Sequence, residues 1–131
     1  MSEKIKLTEA ELDILGVLWT RHGTTVREVY VALSEERKTS YTTFLKLMQI
    51  MHEKGLVERD EEGKAHIYYA KVERVETGRQ MLGNILQKVF FGSAIELVEQ
   101  VLELQLTSPK EMKKIRKMIK QNTKDAKEKK K

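Results

Sequence analysis

The chain has 131 residues and no cysteine, so it makes one or two small domains, and disulfides, thiolate metal sites and cysteine nucleophiles are excluded. Its formal net charge of +5 is unevenly spread: residues 1–72 hold 11 Lys plus Arg against 12 Asp plus Glu, a net of −1, while residues 73–131 hold 14 against 8, a net of +6. Overall charge is therefore no argument for nucleic-acid binding by the N-terminal part, and the run from Lys124 to Lys131 reads as a solvated, frayed tail.

No apolar run approaches the ~18 to 20 residues of a membrane span, and the opening Met-Ser-Glu-Lys lacks the apolar core of a signal peptide. The expectation is a cytoplasmic protein without membrane insertion. An enzymatic reading finds no support: His22, His52 and His66 form no ligand or catalytic motif, and no Gly-rich phosphate loop precedes a helix. Neither a metal nor a cofactor is expected.

Leu7-Thr8-Glu9-Ala10-Glu11-Leu12 is a helix-start signal in which Thr8 caps, Glu11 completes a capping box, and Leu7 can staple onto Leu12. A first helix from Glu9 to about Thr20 follows. Its Leu12, Ile14, Leu15, Val17, Leu18 and Trp19 are too many for one narrow stripe, which makes this helix central to the core, and Gly23 ends the segment. Thr25-Val-Arg-Glu28 is a second capping box, and Val26, Val29, Tyr30 and Leu33 mark one face of a short helix ending near Ser34. In the polar connection that follows, Arg37 and Lys38 stand just before the next helix N-terminus, where free N–H groups and the helix dipole favour phosphate.

The stretch from Ser40 to Val57 organises the rest. Ser40 can cap a helix and Gly55 can end it in the left-handed conformation. At roughly 100° per residue, Tyr41, Phe44, Leu47, Met48 and Met51 fall on one side, and Thr42, Thr43, Lys46, Gln49 and Glu53 on the other. The second face, with hydroxyls, an amide and a Lys but no acid before Glu53, has the chemistry for phosphate oxygens and base edges in a DNA major groove. A merely solvated helix face would look similar, so its neighbours carry the argument.

After Gly55, Leu56-Val57 and the segment Lys64-Ala-His-Ile-Tyr-Tyr-Ala-Lys71 flank the turn Asp60-Glu-Glu-Gly63, which predicts a β-hairpin. Three helices and a hairpin in this order predict a winged helix-turn-helix over residues 1–72, with the third helix in the major groove and the hairpin as a wing on the backbone or minor groove. Lys64 and His66 are the candidate wing contacts; His66 equally suits an ordinary surface position on a strand.

From Val72 the helical period returns. Val75, Leu82, Ile85, Leu86 and Val89 mark one helix, weakened at Gly78 and Gly83 by about 1 kcal/mol each relative to Ala. Ser93-Ala-Ile-Glu96 and Ser108-Pro-Lys-Glu111 start two more, carrying Ile95, Val98, Val101, Leu102 and Leu104, then Met112, Ile115, Met118 and Ile119. Leaving five such residues exposed would forgo on the order of 7 to 10 kcal/mol of burial. Residues 73–120 are therefore expected to form a helical dimerisation domain through Leu82, Ile85, Leu86, Val89, Ile95, Val98, Val101, Leu102, Ile115 and Ile119, with 121–131 as a Lys-rich flexible tail. A self-contained three-helix bundle is the alternative. The fold class is mainly α: an N-terminal winged helix-turn-helix, three helices plus a β-hairpin wing, followed by a C-terminal helical dimerisation region.

With these elements in place, the sequence resembles the penicillinase-repressor family (BlaI/MecI type) of bacterial winged-helix transcriptional repressors. The resemblance lies in Leu7-Thr8-Glu9-Ala10-Glu11-Leu12-Asp13-Ile14-Leu15 with Leu18-Trp19, in Thr25-Val26-Arg27-Glu28-Val29, and above all in Tyr41-Thr42-Thr43 with Lys54-Gly55-Leu56-Val57-Glu58-Arg59. His66-Ile67-Tyr68 with Ala70, and Phe91-Gly92, also fit, so it covers about residues 5–120. It implies a homodimer whose winged domains bind a palindromic operator in double-stranded DNA. The matching recognition positions are Ser40, Thr42, Thr43, Lys46 and Gln49, and the wing match is Lys64. In members controlling β-lactam resistance, a membrane sensor-protease triggers cleavage in the helix joining the domains; the comparable junction here is near Asn84 and Ile85. A copper-responsive branch carries a C-terminal cysteine cluster that this chain lacks. The expected function is sequence-specific repression, and the alternative is a winged-helix protein-interaction module without sequence-specific DNA binding.

Overall fold

The computed structural model describes residues 6–129, and side chains up to residue 125; the opening Met-Ser-Glu-Lys and the last two lysines of the predicted tail lie outside the described residues. Both N-terminal capping boxes form. Thr8 Oγ1 accepts from the Glu11 N–H at 3.1 Å and Glu11 Oε1 accepts from the Thr8 N–H at 3.0 Å, starting α1 (Glu9–Thr20). Thr25 and Glu28 do the same for α2 (Val26–Leu33). Ser40 caps α3 (Tyr41–Glu53), and Gly55 at φ +81° ends it, with the Leu56 N–H donating to Met51 O at 2.9 Å and the Gly55 N–H to His52 O at 3.1 Å. That pair of bonds is the Schellman closure. It turns the chain directly into the hairpin.

The hairpin consists of β1 (Val57–Asp60) and β2 (Ile67–Ala70), antiparallel, with Val57 opposite Ala70 and Asp60 opposite Ile67. Sequence patterning misses one feature: Thr24 pairs with Tyr68 through the Thr24 N–H to Tyr68 O at 3.0 Å and the Tyr68 N–H to Thr24 O at 2.8 Å. The segment between α1 and α2 thereby pins the wing to the helices. Gly23, at φ +83°, is required twice over, because a Cβ there would meet Ile67 Cγ2 at 2.9 Å.

Helices α4 (Arg74–Lys88), α5 (Ala94–Glu103) and α6 (Pro109–Lys129) follow. At α5 and α6 only the serine half of the expected caps forms: Ser93 accepts from the Glu96 N–H and Ser108 from the Glu111 N–H. The backbone of residues 121–129 is helical, where the sequence suggests a frayed tail. Lysines are good helix formers and Gln121 reaches Asp125 one turn on, at 3.3 Å.

The chain divides into two compact units, Met1–Gly83 and Asn84–Lys131. The first has a core of Ile14, Leu15 and Leu18 from α1, Val26, Val29 and Leu33 from α2, Phe44, Met48 and Met51 from α3, and Leu56, Val57 and Tyr68 from the hairpin. Trp19 is half-buried at its edge, not inside it, and its Nε1–H donates to Val72 O at 3.0 Å. In the second unit none of the described side chains is buried.

Candidate nucleic-acid interface

The apolar stripe of α3 sets its rotation. Phe44, Met48 and Met51 are fully buried, and the Tyr30 ring stands edge-on to Phe44, with centroids 6.1 Å apart. Burying that stripe turns Thr42, Thr43, Lys46 and Gln49 outward, and all four are exposed. Tyr41, placed by periodicity on the buried side, is 39% exposed and packs edge-on against Tyr30 at 5.8 Å. As the first helical residue it reaches the rim of the core only. Leu45 is also exposed and borders the polar face near Thr42 and Gln49, so an apolar group suited to a thymine methyl joins the polar ones. Periodicity alone assigns it to neither side.

At the N-terminus of α3, Ser40 Oγ accepts from the Thr43 N–H at 3.2 Å and lies 2.9 Å from Thr43 Oγ1. These two hydroxyls hold the helix end and each other. Thr42, Lys46 and Gln49 have no partner among the described residues, leaving their hydroxyl, ammonium and amide groups available to a ligand.

Helix α1 grips both ends of α3. Before the helix, Arg37 Nε donates to Asp13 Oδ2 at 2.7 Å; at its far end, Lys54 Nζ donates to Glu11 Oε2 at 2.9 Å. Arg37, expected as a phosphate contact, is thus held on α1 by its Nε, while Lys38 beside it stays exposed. Glu11 is the least expected member: a carboxylate only 1% exposed. Burial acts to raise its pKa, but the Thr8 N–H and the Lys54 ammonium outweigh that and hold the group below the ordinary carboxylate range. The capping box was legible in sequence; its link to a residue 43 positions away was not.

On the wing, Lys64 and His66 are exposed in the turn between β1 and β2. They share that turn with Asp60, whose Oδ1 accepts from the Glu62 N–H at 3.0 Å, and with Glu61, whose Oε1 takes the Arg59 Nε–H at 2.6 Å. The wing turn therefore carries carboxylates as well as Lys64.

The residues expected to dimerise lie open. Leu82, Ile85 and Val89 on α4 are 53%, 43% and 61% exposed, and Ile95, Val98 and Leu102 on α5 are 73%, 47% and 45% exposed. Ile119 on α6 is exposed, while Leu86, Val101 and Ile115 are half-buried. Leu104 is exposed as well, and Phe91, 88% exposed at φ +49°, and Leu106 are exposed apolar residues beyond those that periodicity singles out. Asn84 and Ile85 are exposed at the division between the two units. Among the described residues no cluster of His, Asp or Glu could hold a metal ion, and no helix is long and apolar enough to cross a membrane.

The family model described as penicillinase repressor matches residues 7–121. The chain belongs to the penicillinase repressor family. The match spans the α3 face, the wing and the apolar stripes of α4 to α6. Among its relatives, the methicillin resistance regulatory protein MecI of Mammaliicoccus sciuri is 22% identical over 114 residues, covering 87% of this chain and 93% of that protein. MecI of Staphylococcus aureus (strain N315) is 21% identical over the same length. The transcriptional regulator BlaI of Mycobacterium tuberculosis (strain CDC 1551 / Oshkosh) is 35% identical over 69 residues, covering 52% of this chain and 50% of that protein.

Proposed function

We propose that this protein is a sequence-specific transcriptional repressor, acting in the cytoplasm as a homodimer on a palindromic operator. The observation that carries the reading is the outer face of α3, where Thr42, Lys46 and Gln49 are exposed and free of partners on a helix whose rotation is fixed by a buried core. Membership of a repressor family and the names of its relatives support it. In this reading Thr42, Thr43, Lys46 and Gln49 select sequence, and Lys38, Ser40, Lys64 and His66 contact backbone or groove edges. Arg37 chiefly holds the approach to α3 on Asp13.

The open apolar stripes of α4 and α5 support pairing of two chains, which sets two reading helices about one turn of DNA, or a multiple of it, apart. Where a sensor-protease accompanies the repressor, cleavage near Asn84 and Ile85 separates reading from pairing and ends repression. Exposure of both residues at the division between units supports that position.

Selection of bound fragments from genomic DNA at physiological salt tests the reading. It is expected to enrich one dyad-symmetric site, and Lys46→Ala is expected to weaken binding to that site by about 1 to 3 kcal/mol. Recovery of no enriched palindrome would favour the protein-interaction module, the reading to which a near-neutral N-terminal region is better suited.

A further inference from the structure

The reading unit is close to neutral and offers few uncommitted cations to DNA. Residues 1–72 carry a net of −1, Arg37 and Lys54 are committed to carboxylates on α1, and the hairpin segment that holds Lys64 also holds Asp60, Glu61 and Glu62. Polyanion affinity scales with the number of phosphates neutralised. Lys38 and Lys64 offer only a few such contacts, and further cations stand elsewhere in the chain.

Helix α6 holds them in order. Lys110, Lys113, Lys117, Lys120 and Lys124 recur at steps of three and four residues, which at 100° per residue places them within an arc of about 80° and along about 21 Å of helix. All five are exposed, and no carboxylate pairs with any of them among the described residues. Lys114 and Arg116 flank the stripe, whereas Glu111 and Asp125 fall outside its arc. An ordinary solvated helix alternates signs to form pairs one turn apart; from Lys110 to Lys124 this face has one sign only. A one-signed face of this length has the chemistry to neutralise several phosphates of a polyanion.

We infer that the lysine stripe of α6 is a sequence-independent docking surface for the phosphate backbone of double-stranded DNA. It adds salt-dependent affinity to the little that the α3 face and the wing supply. This extends the repressor reading by dividing the work: α3 selects, and α6 holds. An anionic membrane surface would attract the same charges, but membrane-seated helices bury a large apolar face rich in aromatics and leucine. The opposite face of α6 offers Met112, Ile115, Met118 and Ile119, of which Met112 and Ile115 are already half-buried in the protein.

The test uses the full chain with Lys113, Lys117 and Lys120 all changed to Gln, against a charge-conserving Lys→Arg triple. Gln keeps helix propensity close to that of Lys, and circular dichroism checks that helix content is retained. Binding to a duplex of random sequence is measured over a series of salt concentrations. The Gln triple is expected to lower the slope of log affinity against log salt by about 2 to 3 for each chain bound, near 0.9 per lost phosphate contact, and to weaken binding at least about tenfold at low salt. The Arg triple is expected to match the natural chain. An unchanged slope in the Gln triple overturns the inference. So does loss of binding to phosphatidylserine vesicles with unchanged duplex binding, which would assign the stripe to membranes. Because the duplex carries no operator, absence of an enriched palindrome in the genomic selection would remove the repressor reading without altering this result.

Discussion

The two units solve the problem of apolar surface in opposite ways. In Met1–Gly83, side chains from α1, α2, α3 and the hairpin converge, and Ile14, Leu15, Phe44 and Met48 lose all contact with water. In Asn84–Lys131, helices with equally regular apolar stripes bury no described side chain, and most of the large apolar groups stay exposed. A side chain of Val, Leu or Ile type forgoes about 1.5 to 3 kcal/mol when left in water. The first unit therefore has a core of its own, while the second leaves most of its large apolar side chains uncovered among the described residues. In the proposed repressor, this separates a rigid reading surface from an association surface, so each can be broken without the other.

The largest effect is expected inside the first unit. Phe44→Ala removes a side chain with no exposed surface from beneath the recognition face and should cost about 3 to 5 kcal/mol in denaturant unfolding. The double change Ile95→Lys with Leu102→Lys places charge on the α5 stripe. It should oppose pairing by about 3 to 4 kcal/mol, read as loss of dimer in sedimentation, while unfolding of the first unit stays unchanged. If that double change instead destabilised the first unit, the separation of roles would be wrong.

Smaller changes probe how α3 is held. Glu11→Ala removes both a capping acceptor and the partner of Lys54, and should cost about 2 to 3 kcal/mol. The pH dependence follows from the sign of the shift. With its folded-state pKa below the ordinary 4.5, Glu11 contributes stability that is present above that value and lost as pH falls through the folded value. Acid titration of the natural chain against Glu11→Gln, which keeps the cap but cannot ionise, should show the steeper loss in the natural chain below about pH 4.5. Ser40→Ala should have the smallest effect, about 1 kcal/mol, because it removes one cap and frees Thr43.

What was legible in the sequence was local. Thr8 with Glu11, Thr25 with Glu28, and Ser40 before Tyr41 mark helix starts through spacing alone, and the polar arc of α3 follows from its period. What was not legible joins residues distant in the chain. The bridge of Thr24 to Tyr68 and the pairs Asp13 with Arg37 and Glu11 with Lys54 depend on how the helices pack, which no local period encodes. Arg37 shows the consequence: its place before a helix N-terminus suggests phosphate, but α1 offers a nearer carboxylate. The exposure of Leu45 and Phe91 is not encoded in a helical period, which marks buried stripes and not apolar residues that stay outside them.

The most direct test of a paired reading head is the mass of the full chain in solution at micromolar concentration, alone and with the selected genomic duplex. A dimer that binds as two chains per dyad-symmetric site is the predicted result. A monomer that binds each half-site independently, with the same affinity whether one half-site or two are present, would contradict it.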